Sequence, residues 1–297
     1  MNGTRLDAEA RCVVDARCAL GESPVWSADE GALYWADIDG YALHRWRAAD
    51  GVHDRWPMPA KLGCLALAAR GGLLLALGCG LHRLEAPGGA LERLIHPGAA
   101  HPRHRYNDGK AAPDGSFWVG TMDDHAERLP ESGLWRIDAK LEARRVASGF
   151  RTLNGLAWSP DGRTLYFSDS RAATVWCAAH DPDTGAIGER RVFVAMEPAW
   201  GKPDGAAVDV EGCYWNAGHG AGRINRFAPD GRLVGHVELP VTNPTMPCFG
   251  GADLRTLYVT SARAGLDAAA LARTPSAGGV FAFDAGVAGV PVARFAG

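Results

Sequence analysis

Lysine is scarce in this 297-residue chain: Lys61, Lys110, Lys140 and Lys202 accompany 27 arginines. With 34 acidic residues the net charge is -3, which leaves no basic stripe for nucleic acid and no polybasic segment for an anionic membrane. Long apolar runs are also lacking. The most apolar stretch, Cys64 to Leu81, is broken by Arg70-Gly71-Gly72 and falls short of the about 20 continuous residues that span a bilayer. Residues Met1 to Cys12 have no apolar run of the secretory kind, so a cytoplasmic location is expected. The seven cysteines are odd in number and contain no CxxC pair, which argues against a disulfide framework or a thiolate zinc site. Reduced, buried cysteines are expected instead. Helical periodicity is confined to one short segment, Asp267 to Arg273, so the helices of a TIM barrel have no sequence to form from. No coiled coil or long apolar patch is evident, and a monomer is expected.

What the chain has is repetition. A short strand rich in aromatic and β-branched residues recurs as LYWADI (33–38), LLLALG (73–78), FWVGTM (117–122), LYFSDS (165–170), CYWNAG (213–218) and LYVTSA (257–262). With Trp35, Leu74, Trp118, Phe167, Trp215 and Val259 taken as equivalent, the steps are 39, 44, 49, 48 and 44 residues. Each unit carries a second strand such as LHRWR or LWRID, and Pro-Asp-Gly turns separate strands at residues 160–162 and 229–231. Six units of about 45 residues, each with room for four short strands, predict an all-β, six-bladed β-propeller as one domain over residues 1–297. The segment Arg11 to Arg17 has no blade of its own and is expected to pair beside Gly279 to Asp284. That N-terminal strand would close the last blade and remove an exposed edge. The 38 glycines and 18 prolines then have a cause, since six blades need many turns.

Equivalent positions in a propeller share one height around a central channel, so polar residues at one phase should converge. Glu22 precedes Trp35 by 13 residues and Asn154 precedes Phe167 by 13, whereas Asn107 and Asp204 precede Trp118 and Trp215 by 11. Four of six blades thus offer an oxygen at nearly one phase, while Leu62-Gly63-Cys64 and Met246-Pro247-Cys248 hold it with apolar residues. Two carboxylates with one or two amide oxygens suit a hard divalent cation. The alternative, that these are only Asn-Gly and Asp-Gly turn dipeptides, holds for Asp161 and Asp114, which lie 6 and 4 residues before their repeat positions.

The segments GESPVW (21–26), NDGKAAPDGSFWVGTM (107–122), LNGLAWSPDGRTLYFSDS (153–170), KPDGAAVDVEGCYW (202–215) and PCFGGADLRTLYVTSA (247–262) resemble the regucalcin/gluconolactonase family of metal-dependent sugar-lactone hydrolases. The resemblance spans nearly the whole chain in order. It implies one catalytic divalent cation at the channel mouth, whether Ca, Zn, Mn, Mg or Fe(II), with Glu22, Asn154 and Asp204 as ligands. It also implies that Asp204 acts as general base, that Asn107 is a substrate or water-bridged ligand and that Arg105 binds substrate hydroxyls. Two departures stand out: Ala112 where the family usually has Asp, and His219-Gly220-Ala221 where it usually has Trp-Gly-Gly. The first reads as a structural loss; the second bears on substrate identity.

The expected reaction is hydrolysis of an aldonolactone, a small-molecule substrate, to the aldonic acid. A divalent ion would polarise the lactone carbonyl and activate water, and Arg105 would present a rigid fork of donors to vicinal hydroxyls. The plain alternative for Arg105 is a solvated charge in the basic run with His101, Arg103 and His104. His219 and Asp124 are further candidates for substrate contact at the rim, and Trp200 is either a sugar-stacking wall or buried packing. Two other functions remain open: a calcium-dependent arylesterase or phosphotriesterase, favoured by a wide apolar mouth, and a non-catalytic metal-binding scaffold.

Overall fold

Each repeat strand recognised in the sequence is the second strand of an antiparallel sheet. A computed structural model describes residues 3–97 and 103–297. It arranges six such sheets as a six-bladed β-propeller, with the blades at residues 21–57, 62–95, 104–150, 153–195, 202–238 and 244–284. The innermost strands are Gly21–Ser27, Leu62–Leu67, His104–Ala111, Leu153–Trp158, Lys202–Val208 and Pro244–Gly250, and each neighbours the next around the channel. Apolar residues alternate on both faces because each blade is sandwiched between two others. Six buried clusters accordingly fill the six blade interfaces among the described residues. Trp35, Trp118 and Trp215 are the largest fully buried side chains, so the repeat that revealed the fold is also its core.

The ring closes as the N-terminal segment suggested. Arg11–Val14 pairs antiparallel with Val280–Asp284, with Cys12 opposite Phe281 and Val14 opposite Val280. Three features were not foreseen. Thr4–Arg5 adds a fifth, parallel strand to the edge of blade five, beside Leu233–Glu238. The C-terminal tail crosses the far end of the channel. Val290 N–H donates to Val208 O (3.2 Å) and Phe295 N–H to Leu67 O (2.8 Å), with Phe295 buried against Phe117. Two cysteines, Cys12 and Cys79, are exposed, correcting the expectation that all seven are buried; none is in a disulfide. Cys12 is on the edge strand of the last blade and Cys79 in the turn between Leu73–Leu77 and Gly80–Leu84, where apolar composition does not imply burial.

Asp267 accepts a hydrogen bond from Ala270 N–H (2.7 Å) and starts the short helix Ala268–Arg273. Among the described residues no helix is long and apolar enough to cross a membrane.

Two regularities of the repeat position the channel end. First, all six innermost strands break register at the same point: between Glu22 and Val25, Leu62 and Cys64, Tyr106 and Gly109, Asn154 and Ala157, Pro203 and Ala206, and Pro244 and Pro247. Such bulges re-aim side chains, here those of the polar phase. Second, the aspartate ending two repeat strands ties down the residues just ahead of a site residue. Asp37 accepts from the N–H groups of Ala19 (3.1 Å) and Leu20 (2.9 Å), before Glu22. Asp169 accepts from those of Arg151 (2.7 Å) and Thr152 (3.2 Å), before Asn154.

Candidate active site

Blades one, three, four and five meet at a cavity of about 210 Å³ lined by Glu22, Arg105, Asn107, Asn154, Asp204 and His219. It lies where the innermost strands begin, opposite the end crossed by the tail. Blades two and six, apolar at the shared phase, contribute no lining residue. Asn154 is the hub. Its Nδ2 donates to Asp204 Oδ1 and to Ser170 Oγ, both at 2.7 Å, and its Oδ1 accepts from Asn107 Nδ2 at 2.7 Å. Asn107 Nδ2 also donates to Leu153 O (2.9 Å), and Asn107 Oδ1 accepts from Arg105 Nη1 (2.8 Å). Arg105 is held from the other side by Asp124, whose Oδ1 is 3.1 Å from Nε. Its Nη2 has no protein partner among the described residues.

Asp204 Oδ2 stands 3.4 Å from His219 Nδ1, an ion-pair separation. Burial works against a charged His219, but hydrogen bonding and charge from Asp204 prevail and raise its pKa. Glu22 is buried and its pKa is raised well above the usual carboxylate range, first by burial and then by repulsion from Asp204 and Asp108. Asp108 is the residue that sequence reasoning missed. Its Oδ2 accepts from Leu156 N–H (2.9 Å), its Oδ1 is buried without a partner, and burial raises its pKa. The signal was the second residue of the Asn107-Asp108 bulge, which a single-phase count passes over.

Two lining carboxylates and one amide oxygen, with the charge of Asp108 near enough to repel Glu22, fit a hard divalent cation. Glu22, Asn154 and Asp204 are the side chains placed to hold it. Rotation of the Asn154 amide exchanges its oxygen and nitrogen, and so presents an acceptor where a donor now faces Asp204.

Other sequence candidates are placed differently. Asp124 does not line the cavity; it pairs with Arg105 and with Lys61 (2.9 Å), because its strand has ended by Asp123. Trp200 is buried against Phe227, which decides it as packing. Arg103 pairs with Asp123 (2.9 Å) and Glu127 (3.0 Å), and His101 lies outside the described residues. Arg128, Arg171 and Lys202 line the cavity and were not anticipated. Arg128 and Arg171 follow second strands, outside the phase that was counted.

The sequence model described as SMP-30/Gluconolactonase/LRE-like region matches residues 20–263. The chain belongs to this family. Among its relatives, a 6-deoxy-6-sulfogluconolactonase of Pseudomonas putida is 41% identical over 97% of this chain and 98% of its own length. An L-arabinolactonase of Azospirillum brasilense is 37% identical over 97% and 96%. The crystal structure of a calcium-binding protein, regucalcin, from Agrobacterium tumefaciens superposes with a TM-score of 0.91 at 28% identity, covering 99% of each chain.

Proposed function

We propose that the chain is a lactonase that opens an aldonolactone to the aldonic acid with a divalent cation, Asp204 serving as general base. The observation that carries this reading is the convergence of Glu22, Asn154 and Asp204 with Asn107 and Arg105 on one cavity. Two relatives named as lactonases, similar over nearly their full length, support the reaction. A cation bound by Glu22, Asn154 and Asp204 would polarise the lactone carbonyl and lower the pKa of a water. Asp204 takes a proton from the water that adds to the carbonyl, the ring C–O bond breaks, and Asp204 returns the proton to the ring oxygen, which leaves as the new hydroxyl. His219, 3.4 Å from Asp204 Oδ2, orients the base. The Asp124 and Asn107 contacts fix Arg105, whose free Nη2 is left for substrate hydroxyls. The cavity wall carries Arg105, Arg128, Arg171 and Lys202, which does not favour the apolar mouth of an arylesterase. Seven cysteines without a disulfide support a cytoplasmic setting.

The test is proton release across a panel of aldonolactones and simple esters, with the metal varied. Turnover of lactones that is lost on chelation and restored by one divalent cation is expected. Full activity after chelation would remove the catalytic ion, and esters turned over in place of lactones would remove the substrate class.

A further inference from the structure

The cavity wall carries more positive charge than opening a neutral sugar lactone requires. Among the described residues four arginine and lysine side chains line it: Arg105 and Arg128 from blade three, Arg171 from blade four and Lys202 from blade five. The acids lining it, Glu22 and Asp204, are the ones assigned above to a divalent cation, so they are not available to balance this wall. Arg105 is committed to Asp124 and Asn107. Arg128 donates to the Asp123 carbonyl and stands 3.8 Å from Asp124. Arg171 and Lys202 have no ion-pair partner among the described residues. Lys202 opens the strand that carries Asp204, two residues before it, so an anion bound there would lie within one sugar's length of the base. The guanidiniums also act on one another: burial, then the charge of Arg105, lowers the pKa of Arg128, and Arg171 adds to this. Like charges gathered on a concave wall raise the local concentration of anions, and arginine forks match tetrahedral oxyanions.

We infer that the lactone opened here carries an anionic oxyacid group, a sulfonate or a phosphate, at the carbon remote from the carbonyl, and that Arg171 and Lys202, backed by Arg128, form its receptor. This deepens the lactonase reading and rests on it. The substrate's two ends are thereby told apart: the carbonyl goes to buried Asp204 and the anion to exposed Arg171 and Lys202. Arg171 and Lys202 are exposed, so a neutral lactone leaves them to solvent, whereas an anionic one gives them a partner. Release of the product, which carries a second negative charge once its carboxylate forms, would depend on ionic strength.

The experiment compares kcat/KM for glucono-1,5-lactone, its 6-deoxy-6-sulfo analogue and its 6-phosphate. The enzymes are wild type, Arg171→Ala, Lys202→Met and the double variant, with metal loaded. The wild type should prefer an anionic lactone by about tenfold or more, and each variant should cut that ratio by about tenfold, the effect shrinking in high salt. The better of the two anions identifies the group. A wild-type ratio of one or less, or a ratio unmoved in the double variant, overturns the inference. Calorimetric binding of 6-deoxy-6-sulfogluconate against gluconate keeps the two readings separable. If no lactone is opened, the lactonase reading falls. Tighter binding of the sulfonate, lost in the double variant, still supports the receptor, and equal binding overturns it.

Discussion

Asp204→Asn tests the site at its centre, because it removes one charge and almost no volume. Asp204 Oδ1 accepts from Asn154 Nδ2 at 2.7 Å, and an amide keeps an oxygen for that donor. Its charge also adds to the effect of burial in raising the pKa of Glu22. The substitution therefore separates activity from stability. Loss of a general base alone costs a factor of about a hundred to ten thousand, and weakened cation binding adds to it. The metal-free fold should melt close to wild type, because relief of the repulsion on Glu22 offsets the lost pairing with His219. Proton release with saturating lactone gives kcat, and thermal melting with and without chelator gives the second readout. Turnover within about tenfold of wild type would refute Asp204 as base. A large fall in melting temperature of the metal-free variant would show that the carboxylate is structural.

Other expectations follow from the same geometry. A divalent cation should raise the melting temperature, by an amount equivalent to about 2.7 kcal/mol at a hundred times Kd, and Glu22→Gln should abolish most of that shift. Phe295 is buried under the channel, so Phe295→Ala should cost about 3 to 5 kcal/mol in urea unfolding; a loss under about 1 kcal/mol would show that the tail is only draped there. His44 is buried beside His53 (2.8 Å), and burial holds its pKa down at about 3. The unfolded chain binds that proton near pH 6.5, so stability is full above that value and is lost as pH falls from 6.5 toward 3. The slope from this group is at most about 1.4 kcal/mol per pH unit. Denaturation curves of His44→Gln should be flatter in that window, and an unchanged slope would assign the acid sensitivity elsewhere.

Most of the site was legible because a propeller converts sequence phase into spatial height. Glu22, Asn107, Asn154 and Asp204 were found by counting back from the repeat tryptophans and phenylalanine, and the structure brings all four to one cavity. What the count could not see follows from where it fails. The bulge on each innermost strand inserts residues that share the channel end, which is how Asp108 escaped. Arg128 and Arg171 lie in turns and Lys202 at the first residue of a strand, positions without a common phase. Asp124 looked like a rim residue and instead grips Arg105, since the reach of an arginine side chain is not readable from spacing. The tail from Val287 onward has no periodic pattern at all, and its burial comes from the channel end it happens to cross.

The strand Arg11–Val14 and the strand Val280–Asp284 are separated by most of the chain, and their pairing is what makes a circle of the six blades. Glu22 belongs to the first blade and Asp204 to the fifth, so across that seam they are two blades apart rather than four. During synthesis the first blade is present long before the partner strand that locks it beside the sixth. Contacts of such long sequence separation form late and slowly. The pairing of Arg11–Val14 with Val280–Asp284 therefore does more than hide an edge: it holds Glu22 within reach of Asp204, so the geometry of the site depends on residues that do not line it.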